Sequence, residues 1–434
     1  MTESADLIIE NALLLTMEAD TGVIENGAVA VTGEQIVKVG PSAAFSGWQA
    51  SRRMDADGRI VMPGLINAHT HAAMSLFRGL ADDLHLMTWL NEYIFPAEAK
   101  LDAEKVHMGT TLACAEMILS GTTCFCDMYL FTHAVAEAAK AAGMRAVVGE
   151  VLYDFPSPNY GPIKEGFAYT QQLIDQWRGD SLISIAVEPH SPYLCVPALL
   201  KKAAALAADN DLIWVIHLSE TQNEVEGILE EYGQTPVGHL KRLGLLGPNL
   251  LACHCVVLSD ADMDLLARHQ VKVVHNPESN MKLASGVAPV PRLLDLGVCV
   301  GLGTDGCCSN NNLDLLAEMD SAAKLHKVAT LDPTVAKAEQ VLRMATIDGA
   351  RALGLADQIG SLKAGKRADI IMLETRRPHL TPMYHPISHV VYSACGSDVV
   401  CSIINGRVVM EERLLTTIDV VKAMADVNQI ARQL

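Results

Sequence analysis

Between residues 60 and 325 of this 434-residue chain, short apolar runs alternate with stretches rich in Ala and Leu, and that alternation is the strongest limit on its fold. A strand followed by a helix, repeated, is the pattern of βα units around a parallel sheet. The strand-like runs cover 60–71, 122–128, 145–152, 183–190, 212–218, 250–257, 271–276 and 298–304. These eight runs in succession predict an α/β fold of the (β/α)8 TIM-barrel type, in which active-site groups gather at the C-terminal strand ends. Polar residues stand at those ends: His69 and His71 on the first run, His190 on the fourth, His217 on the fifth, His254 on the sixth, His275 on the seventh and Asp305 after the eighth. A doubly wound open sheet is the alternative, but it gives no reason for chemistry at nearly every strand end.

Both flanks of this region read differently. Leu7-Ile-Ile, Ala12-Leu-Leu-Leu, Ala28-Val-Ala-Val and Gln35-Ile-Val-Lys-Val-Gly look like short strands joined by tight turns such as Thr32-Gly-Glu. The style returns after residue 365 with Ala368-Asp-Ile-Ile-Met-Leu, His389-Val-Val-Tyr-Ser and Val399-Val-Cys-Ser-Ile-Ile. Asn405-Gly406 then leads into Arg407-Val-Val-Met, and Asn-Gly between apolar runs is a strong hairpin signal. Each end is too short for a good core, so the two are expected to pair as one small β-sandwich domain. The division is then 1–59 and 365–434 for the sandwich, with a terminal helix over 420–434, and 60–364 for the barrel.

Composition narrows the function. Half the residues are hydrophobic and the formal charge is -18, which argues against nucleic acid and anionic membrane surfaces as partners. No apolar run is long enough to span a bilayer, and the acidic start Met-Thr-Glu-Ser-Ala-Asp lacks a signal-peptide pattern, so a cytoplasmic location is expected. The 11 cysteines are odd in number, and several lie in apolar runs (Cys124, Cys253, Cys299). They read as reduced core residues. Cys307-Cys308 is the one pair near the expected chemistry, and packing is its preferred reading.

The run Val61-Met-Pro-Gly-Leu-Ile-Asn-Ala-His-Thr-His71 places two imidazoles at i and i+2, on one face of a strand. His-x-His alone also arises by chance on exposed strands, so the weight falls on its partners. His69, His71, His217 and Asp305 together offer three ring nitrogens and a carboxylate, a set that would hold one zinc ion and leave a place for water. Iron and manganese are alternatives, because geometry and availability matter as much as affinity. Glu220, three residues after His217, is the best-placed proton carrier, against the bland reading of a solvated loop carboxylate. His254 lies in an otherwise apolar run, with a satisfied core histidine as the alternative reading, and for His275 that alternative weighs more.

These strings, together with Leu76-Phe-Arg-Gly-Leu-Ala-Asp-Asp-Leu84, Tyr93-Ile-Phe-Pro-Ala-Glu-Ala-Lys100, His217-Leu-Ser-Glu220 and Gly301-Leu-Gly-Thr-Asp-Gly306, resemble the amidohydrolase superfamily. Within it the chain is most similar to the 5-methylthioadenosine/S-adenosylhomocysteine deaminases. The resemblance spans essentially the whole chain and implies mononuclear zinc on His69, His71, His217 and Asp305. The fourth run ends Val187-Glu-Pro-His190, without the lysine that binuclear relatives carboxylate. It further implies that Glu220 passes a proton to the ring nitrogen beside the reacting carbon, that Asp305 takes a proton from the attacking water, and that His254 orients the nucleophile. Glu98 would bind the ribose diol, His190 a purine ring nitrogen, and Trp89 would help close the pocket. The implied reaction is deamination of 5'-methylthioadenosine, or of S-adenosylhomocysteine or adenosine, to the inosine derivative.

Two other classes stay open. One is hydrolysis of another heterocycle such as a triazine on the same metal site, since fold and metal do not define a substrate. The other is a non-enzymatic assembly protein, which loss of a ligand or of Glu220 would signal, and neither is lost here. Relatives often self-associate, so a homo-oligomer is also open. Between Arg145 and Arg178 there is no arginine to hold an amino-acid carboxylate, and the stretch Tyr153-Asp-Phe-Pro-Ser-Pro-Asn-Tyr160 suits an apolar tail.

Overall fold

The strand runs carry buried residues on both faces, as a parallel sheet enclosed by helices requires. Every residue of Thr122–Tyr129 and of Arg145–Leu152 is buried. The computed structural model describes residues 3–434. Its parallel barrel strands are Leu65–His71, Thr122–Tyr129, Arg145–Leu152, Ile183–Ile185 continued by Glu188–Pro189, Trp214–Leu218, Leu250–His254, Lys272–His275, and Val300–Leu302 continued by Asp305–Gly306. The fourth and fifth strands meet through a bridge between Val187 and Trp214. The circle closes where Asp305 pairs beside Thr70 and Gly306 beside His71. The expected barrel is therefore present, and its seam runs through the residues on which the chemistry was placed.

The run expected as one strand over 60–71 is broken at Gly64. Ile60–Pro63 pairs with the two chain ends, parallel to Ser4–Leu15 and antiparallel to Ile370–Leu373, and only Leu65–His71 enters the barrel. A Cβ on Gly64 would meet the Thr123 side chain at 2.0 Å, so the chain can cross from one sheet to the other only with glycine here. The outer sheet has nine strands, drawn from both ends as expected, and has its own core around Ile9, Leu14, Val29, Ile36, Val61, Ile370 and Ile403. Leu7 and Ala12 lie on one long strand, Ser4–Leu15, and not on two; a bulge between Ile9 and Ala12 absorbs the intervening Asn11. The Asn405-Gly406 turn joins Val399–Ile404 to Arg407–Glu411 with both residues at positive φ, as the hairpin signal requires.

The strand expected at His389-Val-Val-Tyr-Ser is a helix, Pro386–Tyr392. Pro386 occupies its first turn and the His385 ring accepts from the Ser388 amide, a start signal the β-branched pair concealed. Helix propensity disfavours each valine by only about 0.5 kcal/mol, whereas full burial of a valine gains about 1.5 kcal/mol or more. Val390 and Val391 are both fully buried, so packing decides. The terminal helix, Val420–Ala431, docks on the helix Ala103–Leu119. All eleven cysteines are free, most of them buried, with Cys395 exposed. Cys308 Sγ donates to the Phe77 carbonyl at 3.0 Å, which fits packing. No helix among the described residues is long and apolar enough to cross a membrane.

Barrel and outer sheet are tied by a buried ion pair. Arg145 at the start of the third strand donates to both oxygens of Asp369, at 2.7 and 3.1 Å, and Asp369 also accepts from the Asn405 amide. Removing one partner of a buried pair leaves an uncompensated charge, at about 3 to 5 kcal/mol. Asp369→Ala is expected to lower unfolding stability by about that much while Arg376→Ala, whose pair is exposed, changes it little; urea unfolding of both variants measures the difference.

Candidate active site

At the C-terminal mouth of the barrel the expected side chains converge. His69 is fully buried, and neither of its ring nitrogens has a hydrogen-bond partner. Its ring centroid lies 4.9 Å from that of His71, 5.0 Å from His217 and 5.6 Å from His254. Asp305 Oδ1 stands 3.5 Å from His69 Nε2 and 3.0 Å from His71 Nε2. One donor atom each from His69, His217, His254 and Asp305 lies within 4.8 Å of the others. Five groups thus share one small space, and the set gathered within 4.8 Å takes in His254 where the sequence led to His71.

The tethers of these rings bear on their roles. His71 Nδ1 meets the Met128 carbonyl at 2.5 Å and His217 Nδ1 the His190 carbonyl at 2.8 Å. A ring whose Nδ1–H is taken by a carbonyl presents a bare Nε2, the tautomer a metal ligand needs. His254 Nδ1 is held by the Asn280 amide oxygen at 2.9 Å, with Asn276 at 3.3 Å. The Ser279 and Ser309 hydroxyls, both at 2.7 Å, occupy Asp305 Oδ2 and leave Oδ1 to the imidazoles. Burial opposes a charged Asp305, but the adjoining His69 and His71 imidazoles outweigh it and hold the carboxyl well below the usual carboxylate range. Gly303 makes the packing behind His69 feasible, because a Cβ there would meet the His69 backbone at 2.7 Å. A buried imidazole with two orphaned nitrogens beside an ionised carboxylate fits a divalent cation, and the mixed N/O donor set suits zinc-like metals.

Glu220 is buried at the edge of this cluster, its Oε2 3.9 Å from His254 Nε2 and its Oε1 3.4 Å from the Ser285 hydroxyl. Burial raises its pKa, opposed by His254. Trp89 and Glu98 lie on a helical segment over residues 86–98 whose middle, Trp89–Ile94, is a π-turn, a form that recurs at functional sites. Glu98 ends this segment. Burial pushes it up to about 7, opposed by the nearby Tyr129 hydroxyl and by His71. The loop before the segment is pinned by Lys282 Nζ, 2.5 Å from Asp82 Oδ1 and 2.9 Å from the Cys308 carbonyl.

These residues line one cleft of about 690 Å³, which His71, Trp89, Glu98, His190, His217, Glu220, His254 and Asp305 all enter. His275 stays outside it: its Nε2 meets His326 Nε2 at 3.0 Å behind the seventh strand. Tyr129, Asn276, Ser279 and Asn280 were not foreseen. Tyr129 had a signal, since it is the polar residue at the end of the second strand, one position past the expected limit. The others lie on or next to the short helix Pro277–Lys282 in a polar run with no period to read.

A (β/α)8 barrel with an imidazole and carboxylate cluster at its C-terminal mouth defines a metal-dependent hydrolase. The sequence profile of the Amidohydrolase family matches residues 60–409, and the chain belongs to that family. It is 59% identical over 429 residues to a 5-methylthioadenosine/S-adenosylhomocysteine deaminase of Syntrophobacter fumaroxidans, covering 99% of this chain and 98% of that protein. It is 45% identical over 434 residues to a 5'-deoxyadenosine deaminase of Methanosarcina acetivorans, at 99% and 98% coverage. The crystal structure of an adenosine deaminase from Xanthomonas campestris with bound zinc superimposes with a TM-score of 0.98 at 41% identity, covering 100% of both chains.

His69→Ala is expected to abolish metal binding and activity together. Elemental analysis of the purified variant checks it, and a chain that keeps full activity after exhaustive chelation would count against a metal at this cluster.

Proposed function

We propose that the chain is a hydrolytic deaminase of 6-aminopurine nucleosides with a small apolar 5' group, and that 5'-methylthioadenosine is preferred to S-adenosylhomocysteine. The observation that carries the preference is the lining of the cleft. Phe95, Met128, Leu130, Val151 and Tyr153 form its wall near Glu98, and among the described residues no arginine or lysine lines it. Phe155 stacks on Tyr153 with ring centroids 3.9 Å apart and extends the aromatic wall. Glu150, next to Val151 in the strand, is buried and accepts from the Thr132 amide and hydroxyl and from Asn159 Nδ2, each at 2.9 Å. A carboxylate at the end of a long 5' tail would meet an apolar wall with no cation to pair it, and a neighbouring carboxyl that burial pushes up to about 7. A methylthio group, or the bare methyl of 5'-deoxyadenosine, would bury apolar surface there. The deaminase names of relatives at 59% and 45% identity support the same substrate class.

In this reading His69, His71, His217 and Asp305 hold one zinc ion, supported by the bare Nε2 atoms of the two tethered rings. When bound, the metal supplies the Lewis acidity that makes hydroxide available near neutral pH. Glu220, whose raised pKa keeps it protonated further toward neutrality, donates a proton to the ring nitrogen beside C6 as the nucleophile adds. Asp305 accepts the proton from the attacking water. His254, fixed by Asn280, orients that water toward C6. The proton held by Asp305 then passes to the amino nitrogen, the C6–N bond breaks with release of ammonia, and the C6 hydroxyl proton returns to Glu220 as the carbonyl of the inosine derivative forms. Glu98 accepts from the ribose hydroxyls, His190 contacts a purine ring nitrogen, and Trp89 covers the base. The 11 free cysteines favour a cytoplasmic setting and the acidic surface disfavours nucleic acid as a partner.

Steady-state ammonia release is expected to give a higher kcat/KM for 5'-methylthioadenosine than for S-adenosylhomocysteine, with adenosine a lesser substrate. Glu98→Ala removes a charge-assisted hydrogen bond of about 1.5 to 3 kcal/mol, so kcat/KM for the nucleoside is expected to fall roughly 10- to 150-fold. Equal or better turnover of S-adenosylhomocysteine would overturn the tail assignment. No ammonia from either thioether, with release from a triazine, would move the chain to the other substrate class.

A further inference from the structure

Glu220 reaches the cluster from a turn that needs support. Ser219 before it has φ +53°, a left-handed conformation that costs a residue with a Cβ about 1 to 2 kcal/mol. The Glu220 side chain has no strong tether of its own, since its nearest polar partners stand at 3.4 and 3.9 Å. Its placement therefore rests on the backbone.

That backbone is clamped by one side chain. Glu224 Oε1 accepts from the Ser219 amide and Oε2 from the Glu220 amide, both at 2.8 Å. Glu224 is buried and stands at the third position of the helix Gln222–Tyr232, whose N-cap Thr221 accepts from the Glu224 amide. In an ordinary capping box a glutamate at this position reaches back to the amide of the N-cap residue itself. Here it passes the N-cap and binds the two residues before it, so its hydrogen bonds stabilise the turn and not the helix end. The opposite side of the turn is fixed as well, because the Ser219 carbonyl accepts from the Val256 and Val257 amides at 3.0 and 2.8 Å. Glu224 does not line the cleft that holds the imidazoles but a neighbouring one, so it does not touch the reacting atoms.

We propose that Glu224 is a positioning residue for Glu220: its two carboxylate oxygens hold the Ser219–Glu220 turn in the shape that presents the Glu220 carboxyl to the reacting base. This rests on Glu220 as the proton carrier. Glu224→Gln keeps the volume but offers a single acceptor oxygen, leaving one of the two buried amides unpaired.

The test is a double-mutant cycle on the metal-loaded chain with 5'-methylthioadenosine. E220Q is expected to retain its metal and lose on the order of 100-fold or more in kcat. E224Q alone is expected to lose about 10- to 100-fold in kcat with KM changed no more than about threefold, and with metal content equal to that of the unmodified chain. The decisive reading is the double variant, which should be no slower than E220Q, because a misplaced acid costs nothing once the acid is gone. A helix cap without a positioning role would give losses that multiply, and that result, or near-normal kcat in E224Q, overturns the proposal. E224D, with both oxygens on a shorter arm, enters the same cycle if E224Q does not retain its metal. A second measurement needs no substrate: hydrogen exchange at the 219–220 amides should be slow in the unmodified chain and in E220Q, and fast in E224Q. An unmodified chain that releases no ammonia would sink the substrate reading alone. Unprotected amides in it would sink the role of Glu224.

Discussion

An imidazole that is fully buried with both nitrogens unsatisfied is the constraint on which the rest of this structure depends. A polar ring in such a place costs about 1 to 3 kcal/mol for each lost hydrogen bond, and the fold supplies no neutral partner to relieve it. What surrounds His69 instead is an ionised carboxylate and three further rings, each held from behind by a carbonyl or an amide oxygen. The arrangement suits the receptor of a cation. The barrel seam serves it directly, since the strand pairing that closes the circle sets Asp305 beside Thr70, between the two histidines of the first strand.

Much of this was legible before the fold was known, and for a physical reason. In a parallel barrel the strand ends are the only part of a strand run where a polar residue can face open space, so a histidine or aspartate there stands out from an apolar background. His69, His71, His190, His217, His254 and Asp305 were found that way. Glu98 and Trp89 were not, because they come from a helical segment whose spacing says nothing about the barrel mouth, and only resemblance to known deaminases marked them. Glu224 and Asn280 left no sequence signal, since they act through backbone amides or a ring nitrogen brought near by turns. His389-Val-Val misled because β-branched residues in a short run look like a strand until burial between helices is known.

The cleft joins two kinds of chemistry. Its lining combines the imidazoles, Asp305 and Glu220 with an aromatic and aliphatic set that includes Phe95, Met128, Leu130 and Tyr153. A purine nucleoside with an apolar 5' group carries both kinds of surface, whereas a small polar heterocycle would leave the apolar residues facing water.

Ser219, His254 and Asp305 share one property that bears on how this chain can change. All three carry side chains yet sit at positive φ, at +53°, +70° and +60°. Such strain is commonly stored where chemistry demands an unusual side-chain direction. Glycine at any of these positions would relax the backbone, but at His254 and Asp305 it would also remove a side chain of the cluster. The left-handed backbone at His254 and Asp305 is thus a local cost that the packing of the rest of the barrel has to offset.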